Sequence, residues 1–391
     1  MIDDAVDHPI LSLSLVNEIF EYIHIDFKNI IYREGNTLFA DDDDGGSHRL
    51  PVSMILNSRQ EDYFADVLLS DRFNDSLCDI CAKEGQLESL KWARSKQCPW
   101  GHPTDFREDL ISDFLSLKAK IKRGTFSEAA KAGHLHILQW LLENGCPWNS
   151  RTCSEAAGAG HLHILQWARK NGCDWDWSTC RAASGAGHLH ILQWLRENGC
   201  DWNAWSCKAA AEAGHLHILQ WARESDCDWG THTCKAAAGA GHLHILQWLR
   251  ENDCDWNGET CSAAAGAGHL HILQWARENG CDWNWQTCCY AADAGYLHIL
   301  QWARENDCEW NWETCYAAAD AGHWDIVVWA VHNGVSMDQD DDENDADCYS
   351  FNLCEFAASE DRWDVVQLAV SNGCRCPEEI QLVLHPQHFN H

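Results

Sequence analysis

Tryptophan recurs at Trp140, Trp167, Trp194, Trp221, Trp248, Trp275, Trp302 and Trp329, a constant step of 27 residues. Most of the surrounding frame recurs with it, as in GHLHILQWARENGCDWNWQTC from Gly268 to Cys288. A fixed period of this length is the mark of an array in which each copy touches only its neighbours. Two further copies keep the frame. One places Trp92 fourteen residues after Cys78 and seven after Gly85, and the other runs from Cys354 to Cys374 with Leu368 at the tryptophan position. That makes ten repeats. The first and last steps are 48 and 39 residues, which implies insertions of 21 and 12.

Each repeat reads as two short helices. Thr260 to Ala267 begins with a cap-type threonine and continues through alanines, the strongest helix formers. Gly268 interrupts it. Leu270 to Asn279 then presents Leu270, Ile272, Leu273, Trp275 and Ala276 as a broad apolar arc, suited to a helix packed on more than one side. Gly280 stands where a left-handed residue would close the second helix. Helices of two or three turns are not stable alone in water. Stability must therefore come from stacking, and the short link CDWNWQ forces neighbouring helices together. The period predicts an all-α solenoid of about ten helix-turn-helix repeats.

The string TCSAAAGAGHLHILQWARENGCDW resembles the ankyrin repeat, with Thr at the first helix, an alanine run, Gly-His-Leu at the second, and Asn-Gly-Cys-Asp in place of the usual x-Gly-Ala-Asp. The resemblance covers residues 76 to about 374. It departs in length: an ankyrin unit has about 33 residues with a β-turn finger. The shortening falls between Cys281 and Thr287, so the resemblance implies truncated or absent β-fingers, as in the short ankyrin-like forms of protists and large DNA viruses. It also implies protein binding, and places Cys288 at the ankyrin Pro position and Cys281 at the Ala position.

Formal charge is 28 − 60 = −32, of which −12 falls in residues 1–80 and −9 in 330–360. Phosphate backbones require basic surfaces, so nucleic acid is not an expected partner, whereas a cationic protein is. The amino-terminal stretch opens acidic and is broken by Asn and Glu, unlike a secretory signal. No run of 18 apolar residues occurs, so no membrane partner is expected. Twenty-two cysteines in such a chain suggest reduced thiols in the cytoplasm or nucleus.

The histidines and cysteines invite a metal reading. On a helix, His269 and His271 would point about 200° apart, and Cys281 would lie about 15 Å from His269 at the helical rise. Equivalent cysteines one repeat apart, such as Cys281 and Cys308, would be separated by about 8–10 Å, beyond disulfide reach. Small enclosed core cysteines are the expectation, with no metal and no cofactor. The Gly-His histidines (His134, His161, His188, His215, His242, His269 and His323) are expected neutral and hydrogen-bonded to turn backbone. The chain has no phosphate loop, no H-E-x-x-H and no G-x-S-x-G, so no catalytic residues are assigned.

Residues that break the repeat are the candidates for binding. The tryptophans of QW and CDW recur and read as packing between repeats. Trp177, Trp205, Trp285 and Trp312 appear in only some links, and aromatic residues are favoured at binding hot spots. The position after the TC cysteine varies, with Arg181, Lys208 and Lys235 as a potential basic stripe and Tyr316 further on, and Tyr290 stands beside it.

Residues 1–75 lack the repeat and are expected to form a helical cap. Pro9 to Phe27 faintly resembles an F-box opening, with Leu15, Ile19, Phe20 and Ile23 as the matching apolar positions. The insertions near 101–121 and 337–348 read as an amphipathic helix and an acidic loop, and 375–391 as a closing cap. The leading expectation is a monomeric, non-catalytic scaffold binding one or more proteins through its concave face and loops. A substrate receptor that holds a Skp1-type adaptor of a ubiquitin ligase, and a metal or thiol-redox store, are the alternatives.

Overall fold

The computed structural model describes residues 30–34, 37–41, 47–51, 77–100, 124–335, 352–374 and 376–384. The F-box-like stretch and both insertions lie outside the described residues. The chain divides into two compact units, 1–202 and 203–391.

The first unit opens with strands β1 (Ile30–Glu34), β2 (Thr37–Asp41) and β3 (Ser47–Pro51), an antiparallel sheet in that order. Glu34 pairs with Thr37 and Asp41 with Ser47. Over these residues a sheet stands where a helical cap was expected. The strings IIYRE and TLFAD carry the β-branched and aromatic residues that suit strands, and only Gly35 and Asn36 separate them in sequence, a hairpin signal.

The repeats are helical throughout. Repeat one contributes α1 (Leu77–Lys83) and α2 (Leu87–Ser95), and the pairing continues to α19 (Leu353–Ser359) and α20 (Trp363–Ser371). Helix α21 (Glu378–Leu384) follows, with Glu378 and Glu379 in its first turn, where the dipole favours them. Within each unit successive first helices pack directly on one another, and each second helix packs chiefly on its own first helix. The links contain no strand among the described residues, so the array is an α-solenoid without β-fingers.

Repeat seven shows why the unit folds. Helix α13 (Gly258–Gly266) buries Thr260, Cys261, Ala264 and Ala265, and α14 (Leu270–Glu278) buries Ile272, Leu273 and Ala276. Small residues on α13 let the neighbouring first helices approach. A β-carbon on Gly239 would already stand 3.5 Å from that of Ala263. Capping differs from the sequence expectation. Asn257, not Thr260, caps α13, its side-chain oxygen accepting from the Glu259 amide at 3.1 Å. Thr260 lies inside the helix, with its hydroxyl buried and without a hydrogen-bond partner, as are those of Thr152, Thr179 and Thr233. A buried unpaired hydroxyl costs about 1–3 kcal/mol. Thr260→Val, which keeps the shape and removes the hydroxyl, is expected to stabilise the protein by about 1 kcal/mol. A urea midpoint at or below that of the parent chain would contradict this.

The turn between the two helices joins one repeat to the previous one. Gly268 adopts φ +85°, and the His269 amide returns to the Ala264 carbonyl at 2.9 Å, the bond that closes a helix over a left-handed residue. The His269 ring then rests on the preceding repeat, where a β-carbon on Gly241 would come within 3.0 Å of it. The same relation holds for His134 over Gly85, His161 over Gly133 and His323 over Gly295, with Tyr296 taking the place of histidine over Gly268. The His134 and His161 rings also meet the Lys83 and Lys131 carbonyls at 3.1 and 3.2 Å. Burial draws the His134 imidazole below its ordinary value of 6.5, so the neutral ring is favoured there.

Candidate partner-binding face

The first helices present one side to the core and the other outward, and the outward side holds the residues that vary. On α15 (Trp285–Asp293), Thr287, Cys288, Ala291 and Ala292 are buried. Trp285, Gln286, Cys289, Tyr290 and Asp293 therefore share the opposite side, at helical spacings of three and four. Asn284 fixes the start of this helix by accepting from the Gln286 amide at 3.1 Å.

Of the non-recurrent tryptophans, Trp177 and Trp205 are exposed, whereas Trp285 and Trp312 are half-buried like those of the frame. Those of the frame are engaged between repeats. Trp283 meets Trp302 edge-on, with centroids 5.7 Å apart and planes at 66°, and the Arg277 guanidinium lies 4.3 Å over the Trp283 ring. Arg277 also donates to the Cys281 carbonyl, so one side chain holds the first half of the link. The same arginine-over-indole pairing occurs at Arg169 and Trp175, Arg250 and Trp256, and Arg304 and Trp310. By contrast Trp177, Trp205, Tyr290 and Tyr316 are 41 %, 44 %, 51 % and 41 % exposed, four of the five large hydrophobic side chains exposed to this degree among the described residues.

The remaining candidates are placed as follows. In the first unit, Trp177 and the exposed Arg181 lie four residues apart on α7 (Trp177–Gly185), on one side of the helix. In the second unit, Trp205 on α9 (Ala204–Glu212) stacks on His232 at 5.9 Å with planes 12° apart, and the Lys208 ammonium lies 5.0 Å over its ring. Lys235 pairs with Glu259 at 3.0 Å, and that hydrogen bond, followed by the lysine's charge, holds the Glu259 carboxyl below its usual range. Lys208 and Lys235 are thus engaged with neighbours on the face, and do not form a bare basic stripe.

Further along, α15 and α17 (Trp312–Asp320) enclose a groove of about 210 Å³ lined by Trp285, Gln286, Cys289, Tyr290, Glu313, Tyr316 and Ala317. The structure therefore brings Trp285, Tyr290 and Tyr316 together, with the half-buried Trp312 ring 6.4 Å from that of Tyr316. Sequence reasoning missed Gln286 and Glu313. Both lie two positions before the TC cysteine, in a column that also holds Trp205, His232 and Glu259, and this variability was the available signal. Burial raises the Cys289 thiol to about 12, while a hydrogen bond with Thr314 opposes the rise. The group facing the groove is accordingly a neutral thiol and a poor nucleophile.

One geometric expectation about the histidines needs correction, and one contact among the cysteines was not expected. His269 sits at the cap position before α14, outside the helix, so the helical angle does not apply. Its ring lies edge-on to that of His271 at 6.1 Å. The cysteines meet within a repeat, twenty residues apart, as well as repeating along the array. Cys261 and Cys281 lie side by side, and the neighbouring thiol together with burial pushes the Cys261 thiol far up. Cys281 in turn donates to the Asn257 carbonyl at 3.3 Å, tying the link to the cap of α13. Among the described residues no group of three or more His, Cys, Asp or Glu is arranged to hold a metal ion. One pair, Cys354 and Cys376, is joined as a disulfide with Cα atoms 5.5 Å apart, where free thiols alone were expected.

No helix among the described residues is long and apolar enough to cross a membrane. Comparison with protein-family models finds no match to this chain, and comparison with curated proteins finds none.

Proposed function

We propose that this chain is a non-catalytic protein-binding scaffold of ankyrin-like type, engaging its partner through the outward side of its first helices. One observation carries the reading. The aromatic side chains that recur are packed between repeats, whereas Trp177, Trp205, Tyr290 and Tyr316, which break the repeat, stand exposed on first helices. A stacking interface requires identical chemistry in every copy, so variation confined to one side marks the side free to specialise. Exposed tyrosine and tryptophan offer large contact area at small conformational cost, and they dominate binding energy at interfaces.

The test compares affinity capture by the full chain with that by a variant carrying Tyr290→Ala and Tyr316→Ala. A control variant carries Gln274→Ala and Gln301→Ala on second helices. The expected result is a defined set of proteins retained by the parent and the control and depleted at least tenfold by the tyrosine variant. Identical capture by all three would refute a role for this face.

A further inference from the structure

The groove between α15 and α17 has a chemistry that specifies its occupant. Its volume of about 210 Å³ is below the range of about 300–1,000 Å³ for small-molecule pockets, and suits one long side chain. Its lining includes the aromatic side chains of Trp285, Tyr290 and Tyr316, and the faces of such rings carry the negative part of the aromatic quadrupole. Glu313 also lines it. None of the ion pairs among the described residues involves Glu313, and no lysine or arginine lines the groove. Asp293 and Asp320, at the ends of the same two helices, are exposed and add to the negative field. Outside residues 1–80 and 330–360 the chain carries a further formal charge of −32 − (−21) = −11. Charge and ring faces together select a cation.

Hydration distinguishes between the two cationic side chains. An ammonium is compact and strongly hydrated, and in this groove it would exchange several waters for a single carboxylate. A guanidinium is planar and weakly hydrated. It can lie against a ring while its edge donates two parallel hydrogen bonds to a carboxylate. The chain makes the ring half of this arrangement internally in several repeats, with guanidinium carbons 4.3–4.8 Å from indole centroids. Building on the protein-binding reading above, we propose that this groove takes the arginine side chain of a basic peptide segment of the partner, with Tyr290 and Trp285 against the guanidinium plane and Glu313 at its edge.

The experiment pans a random decapeptide library on the full chain. It then titrates one enriched peptide, and its Arg→Lys and Arg→citrulline forms, by tryptophan emission. Enriched peptides are expected to share an arginine. Affinity should fall at least tenfold on replacement by citrulline, which keeps the planar shape without the charge, and at least threefold with lysine. Glu313→Gln and Tyr290→Ala should each weaken binding at least fivefold; both positions face outward, and unchanged far-ultraviolet dichroism would confirm the fold. Peptides that need Tyr290 but lack arginine, or that bind equally well with lysine or citrulline, would overturn the arginine assignment and leave the binding face in place. A library yielding no enriched peptide would overturn both.

Discussion

Trp283→Ala should lower the stability of the chain by about 2–4 kcal/mol, at the lower part of the range for removing a large aromatic because the ring is half-buried. The loss has three sources. The edge-on contact with Trp302 disappears, at about 0.5–1.5 kcal/mol beyond area burial. The Arg277 guanidinium loses the ring beneath it, about 0.5–1 kcal/mol for a site open to water. The rest is apolar area returned to solvent. Arg277 keeps its bond to the Cys281 carbonyl, so the link stays closed and the damage concentrates between repeats seven and eight. Trp283→Phe should recover more than half of the loss. Hydrogen exchange is the discriminating measurement: in a nearest-neighbour array, amides of α14 and α16 (Leu297–Glu305) should lose protection well before those of α10 (Leu216–Glu224). Uniform loss of protection through the second unit would show that the tryptophan does not act at the junction between repeats.

Gly241→Ala is the second large effect, expected at about 2–3 kcal/mol of destabilisation. The residue has φ +84°, a left-handed conformation costing an L-amino acid about 1–2 kcal/mol. The reduced freedom of the unfolded chain returns about 0.4–1 kcal/mol. The remainder comes from displacing the His269 ring, which would lie 3.0 Å from the new methyl. Gly280→Ala separates the two terms, since it has φ +81° and nothing within 4 Å of the added carbon. It should cost about 1 kcal/mol, the backbone term alone. Equal losses at the two glycines, read from urea midpoints, would mean that the ring's rest on Gly241 contributes nothing. In a His269→Ala background the Gly241→Ala penalty should shrink to that of Gly280→Ala.

The glycines and tryptophans were legible because they recur, and recurrence reports packing directly. Gly268 and Gly280 closing two helices followed from conformational freedom alone, and the structure gives both positive φ. The cap was misplaced because Asn257 and Thr260 are both cap-type residues three apart, and a nine-residue helix offers too few apolar positions to choose between them. The Cys261–Cys281 contact was missed because the sequence was compared at equal positions one repeat apart, whereas the turn at Gly268 folds the link back on its own first helix. The strands at 30–51 fall where no repeat supplies a frame. Tyr290 and Tyr316 stood out as departures from a near-identical background, but Glu313 did not. Acidic residues are common in this chain, and only the juxtaposition of α15 and α17 shows which carboxylate meets the rings.

The histidine resting on the preceding glycine bears on how such an array changes length. Repeats two to nine each carry a ring and a glycine at these positions, whereas repeat one has Gln86 and repeat ten Arg362 in place of the ring, so deletion or duplication of one 27-residue stretch within the interior repeats joins a standard ring to a standard glycine. Copy number can therefore drift by unequal exchange without an ill-fitting junction. The position of Tyr296 shows that the ring itself can be exchanged as well. What such drift would shift is the distance along the chain between aromatic positions such as Trp205 and Tyr290.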